Sequence, residues 1–431
     1  MGKKNCSIGL CDMQTIIHCS IFIFFVGGLA TISFYKNNKQ QVSITVTLTN
    51  VSVNTIETLV LDHRRRFKSA PPLSLATTCD LFSGRWVHDN KTQYYPLYKE
   101  HECPYLEETF ACQTYGRKDT KYLHWRWQPH GCNFPRFDAK AVVERLRGKR
   151  LLFVGDSLNR NQWNSMICML HSSIPGVKSA GADLNGLLYT FRATDYNISV
   201  DFYWAPMLVE SNGDSPTNHH GNSRMVAIKA IENHAKHWVN SDILIFNSFH
   251  WWRSPELRLL KSAESLLDDH PNQEYEEVDC YLAYKVGLKT WSDWVRAHID
   301  PLKTKLYFMG ATATHSKARD WGGMKHGNCY RETEPVMDDR FWESQTDLKM
   351  MSILESSLSE LKSTGVNVQI INITQLTQCR KDGHTTVYRK HWRPLTEEQK
   401  KNPQLDSDCS HWCVPGVPDI WNELLLAYIF Q

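Results

Sequence analysis

Two short segments of the 431-residue chain carry residue types that could act together. The first is Gly155-Asp156-Ser157-Leu158, which follows the apolar run 150–154 and precedes a helix-like stretch beginning near Asn159. A serine at the carboxyl end of a strand, near a helix amino terminus, has free backbone N–H groups beside it that can stabilise an oxyanion, and the glycine permits a tight turn. The same position equally suits a helix cap, and position alone leaves both readings open. The second segment is Asp408-Cys409-Ser410-His411-Trp412-Cys413. Asp408 and His411 are three apart, so one loop can let the carboxylate orient the imidazole. A histidine so oriented can accept a serine proton and return it to a leaving group. Asp-x-x-His is a weak pattern by itself, and a disulfide-rich surface loop with an incidental Asp and His is the alternative. Flanking Cys409 and Cys413 could pin that loop through separate disulfides.

The elements that must position these residues are legible from about residue 148 onward. Apolar runs at 150–154, 200–204, 243–246, 305–309 and 366–371 read as fully buried strands. Helical stretches are expected at 159–171, 223–239, 279–297 and 348–362, with a final helix at 418–430. This alternation predicts an α/β fold with a mostly parallel sheet flanked by helices, whose active site lies at the carboxyl ends of the strands. The organisation expected is a tail at 1–15, an anchor at 16–35, a stem at 36–75, a cysteine-rich module at 76–137 and a catalytic domain at 138–431.

Residues 16–34 contain nineteen positions without formal charge, long enough as a helix to cross a hydrocarbon core of roughly 30 Å. A cleaved signal peptide with a Gly28-Leu29-Ala30 site is the rival. Of thirteen cysteines, three lie in or before this run, which leaves ten downstream, an even set fit for a disulfide framework in an oxidising lumen. Glycosylation sequons at Asn50, Asn90, Asn197 and Asn372 agree. The expectation is a single-pass type II protein of the secretory pathway. Lysines and arginines total 49 against 46 acidic residues, so bulk charge gives no reason to expect a nucleic-acid partner. No metal site is expected either: His234 with His237, and the pair His219-His220, come without a ligand set.

The sequence resembles the plant trichome birefringence-like family of Golgi polysaccharide O-acetyltransferases, which is related to SGNH/GDSL esterases. The resemblance runs from Cys79 to the end, through CDLFSGRWVHD, YPLYKEHECPYLEETFAC, WRWQPHGCNFPRFD, FVGDSLNRNQW, WGGMKHGNCYRETEPV and DCSHWCVPGVPDIWNELL. The Asn-Cys-Tyr-x-Glu-Thr segment and 380–399 resemble the branch that acetylates xylan. The resemblance implies an SGNH-like fold with Ser157 as nucleophile, His411 as base and Asp408 as its orienter. It implies Asn247 as an oxyanion donor, with a turn-closing asparagine as the alternative. It places Arg160 in a GDSxxR pattern, where the cation either tunes the site or forms a structural ion pair. It also implies the disulfides Cys79–Cys132, Cys103–Cys168, Cys112–Cys413 and Cys329–Cys409, with Cys280 and Cys379 unassigned. One departure stands out. Where the family has Ser-Pro-Thr-His, this chain has Thr312-Ala313-Thr314-His315, and loss of the proline is expected to loosen that loop.

Fifteen tryptophans raise the question of sugar stacking. Core packing is the expectation for most of them, with Trp251 and Trp252, just past the strand at 243–246, as candidates for an acceptor groove. The activity implied is transfer of an acetyl group to O-2 or O-3 of a cell-wall polysaccharide, xylan first and mannan or another glycan open. No bound cofactor is implied. Acetyl-CoA or an acetylated intermediate is the donor, the latter delivered by a membrane protein in the Golgi. The rivals are a carbohydrate acetylesterase with the same triad and a non-catalytic glycan-binding protein.

Overall fold

The computed structural model describes residues 79–89, 94–174, 176, 178–217, 223–261, 274–338, 340–391 and 393–431, together with the backbone of three amino-terminal strands. The chain divides into two compact units, Met1–Ala76 and Thr77–Gln431.

In the first unit His18–Phe25, Gly28–Lys36 and Val42–Thr49 form an antiparallel meander. Of the anchor expected over 16–35, residues 18–25 and 28–35 are therefore strand, and no helix among the described residues is long and apolar enough to cross a membrane. The physical reason is compositional. A bilayer forces an isolated span to become helical because its backbone has no water to bond. Without lipid, a segment rich in Ile, Phe, Val and Thr and broken by Gly27-Gly28 favours strands.

The second unit is built on a seven-stranded sheet. After a two-stranded ribbon, β1 (Gly84–His88) and β2 (Trp125–Pro129), come α1 (Ala139–Leu146), β3 (Arg150–Gly155) and α2 (Ser157–Ser173). Then follow β4 (Lys178–Asp183), β5 (Leu188–Ala193), β6 (Ile198–Trp204), β7 (Ile243–Asn247), α3 (Cys280–His298), β8 (Lys305–Met309), α4 (Leu348–Ser363) and β9 (Val368–Ile371). Last come β10 (His384–Thr386), β11 (Asp408–Trp412) and α5 (Val417–Ile429). The sheet order is β9-β8-β7-β3-β6-β5-β4, with the first five parallel and β5 and β4 added antiparallel at one edge. The chain winds from β3 to β6 on one side, then returns to place β7 on the other. That reversal makes the carboxyl ends of β3 and β7 the switch-point crevice of the sheet.

All five expected strands lie in the parallel part, because a strand covered on both faces must be apolar throughout. Residues 223–239 do not form the helix expected there. Ser223–Ala227 is a strand paired in parallel with Glu256–Leu260, and only Glu232–Ala235 winds helically. These strands belong to a second, four-stranded sheet built from the excursions that leave β6 and β7.

Backbone contact between β3 and β7 is close enough to dictate a residue. Gly155 is the register partner of Asn247, and a Cβ added to it would collide with the Asn247 carbonyl oxygen. Gly155→Ala should cost about 1–3 kcal/mol of stability, read as a lower denaturant midpoint. An unchanged midpoint would mean that the two strands separate freely.

The cysteine-rich segment is fused to the sheet. Its ribbon buries Trp86 against Trp127, and the Trp86 indole N–H donates to the Leu376 carbonyl at 2.7 Å. Cys79–Cys132 closes the segment, Cys103–Cys168 ties it to α2, and Cys112–Cys413 ties it to the residue after β11. Tyr98 and Tyr95 reach α5, hydrogen-bonding Asp419 at 2.9 Å and Glu423 at 2.6 Å. Burial pushes the Glu423 carboxyl up to about 8, with the nearby Asp419 adding to it. In the unfolded chain Glu423 ionises near its ordinary value, so between there and about pH 8 the folded state binds the extra proton and stability falls as pH rises. Glu423→Gln keeps the size and can donate to Tyr95. It should flatten the dependence of melting temperature on pH across that window; a slope unchanged by the substitution would show that Glu423 is ionised in the fold.

Candidate active site

Three elements converge at the switch point: the turn from β3 into α2, the end of β7, and β11. Asp156, not Ser157, caps α2, its Oδ1 accepting from the Leu158 N–H at 2.9 Å. This resolves the ambiguity at the turn, since the cap is supplied one residue earlier and the Ser157 hydroxyl is left for other work. That hydroxyl lies 2.8 Å from His411 Nε2, and His411 Nδ1 lies 2.7 Å from Asp408 Oδ2. The other carboxylate oxygen of Asp408 accepts from the backbone N–H groups of Ser410 at 2.9 Å and His411 at 3.0 Å. The carboxylate is thus saturated on one oxygen and points the other at the imidazole. It fixes the tautomer that carries hydrogen on Nδ1 and a lone pair on Nε2, facing the serine.

Burial alone would lower the pKa of His411. The Asp408 charge and hydrogen bond, with Asp156 behind them, outweigh it and raise the value above the usual histidine range. Asp408 is raised by burial but lowered more by His411 and the two backbone N–H groups, so it stays ionised. Asp156 is pushed up to about 6 by burial, and its Oδ2 has no hydrogen-bond partner.

Asp408 to Trp412 is not the loop expected from sequence but a short strand, β11, paired with β10 across a bulge. Four devices hold it. Cys409 is bonded to Cys329, and Cys413 to Cys112, so separate disulfides bracket the histidine. Asn161, one turn beyond the serine on α2, clamps the Trp412 backbone from both sides, accepting from its N–H at 2.8 Å and donating to its carbonyl at 3.1 Å. Arg117 of the cysteine-rich segment donates to the carbonyls of Asp382 at 2.6 Å and His384 at 3.1 Å, fixing β10 beneath β11. Asn161 and Arg117 were not found by sequence reasoning. The only signal for Asn161 is its place four residues after the serine on a helix.

The remaining expected residues fall as follows. Asn247 ends β7 beside Gly155, buried, and its amide oxygen has no hydrogen-bond partner. It therefore does not close a turn. Arg160 pairs with Glu107 at 2.7 Å and lies over the Tyr189 ring at 4.3 Å, which makes it an ion pair between α2 and the cysteine-rich segment. Trp251 and Trp252 are a correction. Trp252 is 1% exposed and packs on Tyr284, and Trp251 lies against Trp204 with the Arg224 guanidinium over its ring at 4.2 Å. Their faces are used in packing, which excludes them as a sugar platform. The expected loosening of 312–315 is also corrected. Ala313 N–H donates to Thr377 Oγ1, and the N–H groups of Thr314 and His315 donate to the two carboxylate oxygens of buried Glu343. A carboxylate does there what a proline's ring would do. Of the sequons, Asn197 is exposed and Asn372 half-buried, while Asn50 and Asn90 lie outside the described residues, as do His219 and His220. His234 is hydrogen-bonded to Asp214 and Tyr203, and Cys280 and Cys379 take no part in the four disulfides.

The order strand, Gly-Asp-Ser, helix, and a distant Asp-x-x-His closing onto the serine, is an acyl-transfer constellation. Residues 134–428 match the profile of the GDSL/SGNH-like acyl-esterase family found in Pmr5 and Cas1p. The chain belongs to this family. Its preceding segment, 77–133, matches the PMR5 amino-terminal domain. Among relatives, the chain is 49% identical over 354 residues to trichome birefringence-like protein 34 of Arabidopsis thaliana, covering 82% of this chain and 85% of that one. It is 44% identical over 368 residues to xylan O-acetyltransferase 14 of Oryza sativa subsp. japonica, covering 81% and 77%. Xylan O-acetyltransferase 13 of the same rice is 44% identical over 353 residues, covering 82% and 70%. As a member of this acyl-esterase family, the chain holds its serine, histidine and aspartate within 134–428, and the amino-terminal segment braces them: Cys413, the residue after β11, is bonded covalently to Cys112.

Proposed function

We propose that the chain is a polysaccharide O-acetyltransferase that acetylates xylan, with Ser157, His411 and Asp408 as its catalytic triad. The observation that carries the mechanism is the continuous hydrogen-bonded line from Asp408 through His411 to Ser157. The names borne by the rice relatives support the acceptor.

In the first half-reaction Ser157 Oγ attacks the acetyl carbonyl of the donor while His411 Nε2 takes the hydroxyl proton. The oxyanion is met by the Ser157 backbone N–H at the amino terminus of α2 and by the Asn247 amide. Collapse expels the donor's leaving group, which takes the proton from His411 and leaves acetyl-Ser157. In the second half, an O-2 or O-3 hydroxyl of the xylan backbone attacks the acetyl carbonyl as His411 takes its proton. Ser157 then leaves as the alcohol, reprotonated by His411. Water at roughly 55 M competes for the same intermediate, so the acceptor must be held at an effective concentration well above that.

The setting proposed is the Golgi lumen, with residues 16–35 as a signal anchor of type II topology. The four disulfides and the sequons support an oxidising compartment, and the uncharged run supports the anchor. The donor proposed is acetyl-CoA or an acetylated intermediate handed over by a membrane protein. Mass spectrometry of xylo-oligosaccharides incubated with the full chain and an acetyl donor tests the reading. Acetylated sugar is the expected product; free acetate alone would replace transfer by hydrolysis, and tight glycan binding without either product would leave a binding protein.

A further inference from the structure

Behind β11 lies a pair of histidines that the triad does not use. His315 and His384 are both 0% exposed, and their rings meet through Nδ1 of His315 and Nε2 of His384 at 2.8 Å. Each outer nitrogen faces a backbone carbonyl: His315 Nε2 faces Gln378 at 2.6 Å, and His384 Nδ1 faces His411 at 3.0 Å. The second of these carbonyls belongs to the triad histidine itself.

Counting hydrogens over this row decides its charge. Carbonyl oxygens only accept, so both outer nitrogens must carry hydrogen, and the inner contact needs a third. Two neutral imidazoles supply only two. Whatever tautomers they adopt, at least one contact then sets two lone pairs against each other at hydrogen-bond distance. We propose that His315 and His384 share one extra proton, as an imidazole–imidazolium pair, and that this pair is a positioning element that fixes the His411 backbone.

Burial outweighs the surrounding charges and lowers the pKa of both rings, that of His384 well below the ordinary histidine value, so the extra proton rests on the unmet hydrogen in the row, and the nearby charges only reduce what burial costs. Glu343 holds the His315 backbone, and Asp382 lies on the segment that leads into β10; both favour the proton. Asp408 favours it from β11. Against it stand Lys381, whose ammonium is paired with Glu332, and His411, which is neutral when acting as a base. Arg117 donates to the His384 carbonyl but also to Asp119, and Arg380 is neutralised by Asp382 at 2.9 Å. Aromatic rings close the remaining sides: Trp321 lies edge-on to His315, and Trp412 lies 4.0 Å from His384 between ring centroids. His315 and Thr386 have φ of 41° and 51°, in the left-handed region that a β-branched residue rarely enters. Such outliers persist where the surroundings over-determine them.

The positioning role rests on the acyl-transfer reading above, whereas the proton count does not, and the test separates the two. Nitrogen-15 NMR of the full chain labelled at histidine, at a pH above the usual histidine range, should show three of the four ring nitrogens of the pair protonated, assigned with His315→Gln and His384→Asn. Two protonated nitrogens would overturn the shared proton. His384→Asn keeps a donor toward the His411 carbonyl and should retain turnover within a few-fold of wild type. His384→Phe removes the donor and should lower kcat about 100-fold, with KM for the oligosaccharide unchanged, as expected for a misplaced catalytic group. Equal losses in both variants, or a loss confined to KM, would overturn the positioning role, and circular dichroism of each variant shows whether it is folded. If three nitrogens are protonated but the wild type transfers no acetyl, it is the acyl-transfer reading that has failed.

Discussion

Ser157→Ala should lower acetyl transfer to xylo-oligosaccharides by about 10⁴-fold or more, to the level left by binding and oxyanion stabilisation alone. In the proposed mechanism Ser157 Oγ is the one atom of the hydrogen-bonded line that bonds to the acetyl carbon, so neither His411 nor Asp408 replaces it. Its substitution leaves the α2 cap intact, because Asp156 supplies that cap. The variant should therefore fold, form its four disulfides and bind the glycan as before. Adding His411→Ala to it should cost almost nothing more, since a base without a nucleophile has no proton to take. A double variant much slower than Ser157→Ala would show that the histidine acts in some other way.

The second large effect concerns Asp408. Asp408→Asn keeps the shape of the side chain but can present its amide N–H₂ to the imidazole, which stabilises the wrong tautomer; turnover should fall by about 10⁴-fold. The substitution also moves the pH profile, and its sign is fixed by the surroundings of His411. In the wild type, activity needs the neutral imidazole, and the folded pKa is raised, chiefly by Asp408 acting against burial. The rate should rise with pH and reach its plateau only above the ordinary histidine value. Without the carboxylate the burial effect dominates, and the residual activity of Asp408→Asn should reach its plateau at lower pH. A midpoint unmoved by the substitution would mean that the ionisation seen in the rate is not that of His411.

Much of this site was legible in the sequence, and the manner of the rest is instructive. Strands buried on both faces write themselves as apolar runs, which is why 150–154 and 243–246 mark the two strands that meet at the switch point. Gly155 and Ser157 follow directly, because a strand end, a turn and a helix start are local features. Asp408 and His411 are three apart and share one strand, so their pairing is local too. Their partner strand β10 lies more than twenty residues upstream, and no spacing announces it. The same holds for Asn161, Arg117 and the His315–His384 row, whose work is done on backbone atoms of distant segments. Backbone atoms carry no sequence identity. The error at Trp251 and Trp252 has a related origin. Aromatic residues after a strand end suit a sugar platform or a core equally well, and a neighbouring helix decides: Gly287 on α3 leaves the space that Trp252 fills. The strand Ser223–Ala227 was misread as helix because its pairing partner, Glu256–Leu260, lies some thirty residues away. At the amino terminus the uncharged run has the length of a span and the composition of a strand, and the surrounding medium chooses between them.

The central claim is that the acetyl group passes through Ser157. It is tested most directly by incubating the full chain with acetyl-CoA or nitrophenyl acetate without acceptor, quenching rapidly, and mapping acetylation by peptide mass spectrometry. The account predicts an acetyl group on the peptide containing Ser157, discharged onto xylo-oligosaccharide when acceptor is added and absent from Ser157→Ala. Acetylated xylan formed at full rate by Ser157→Ala would contradict it.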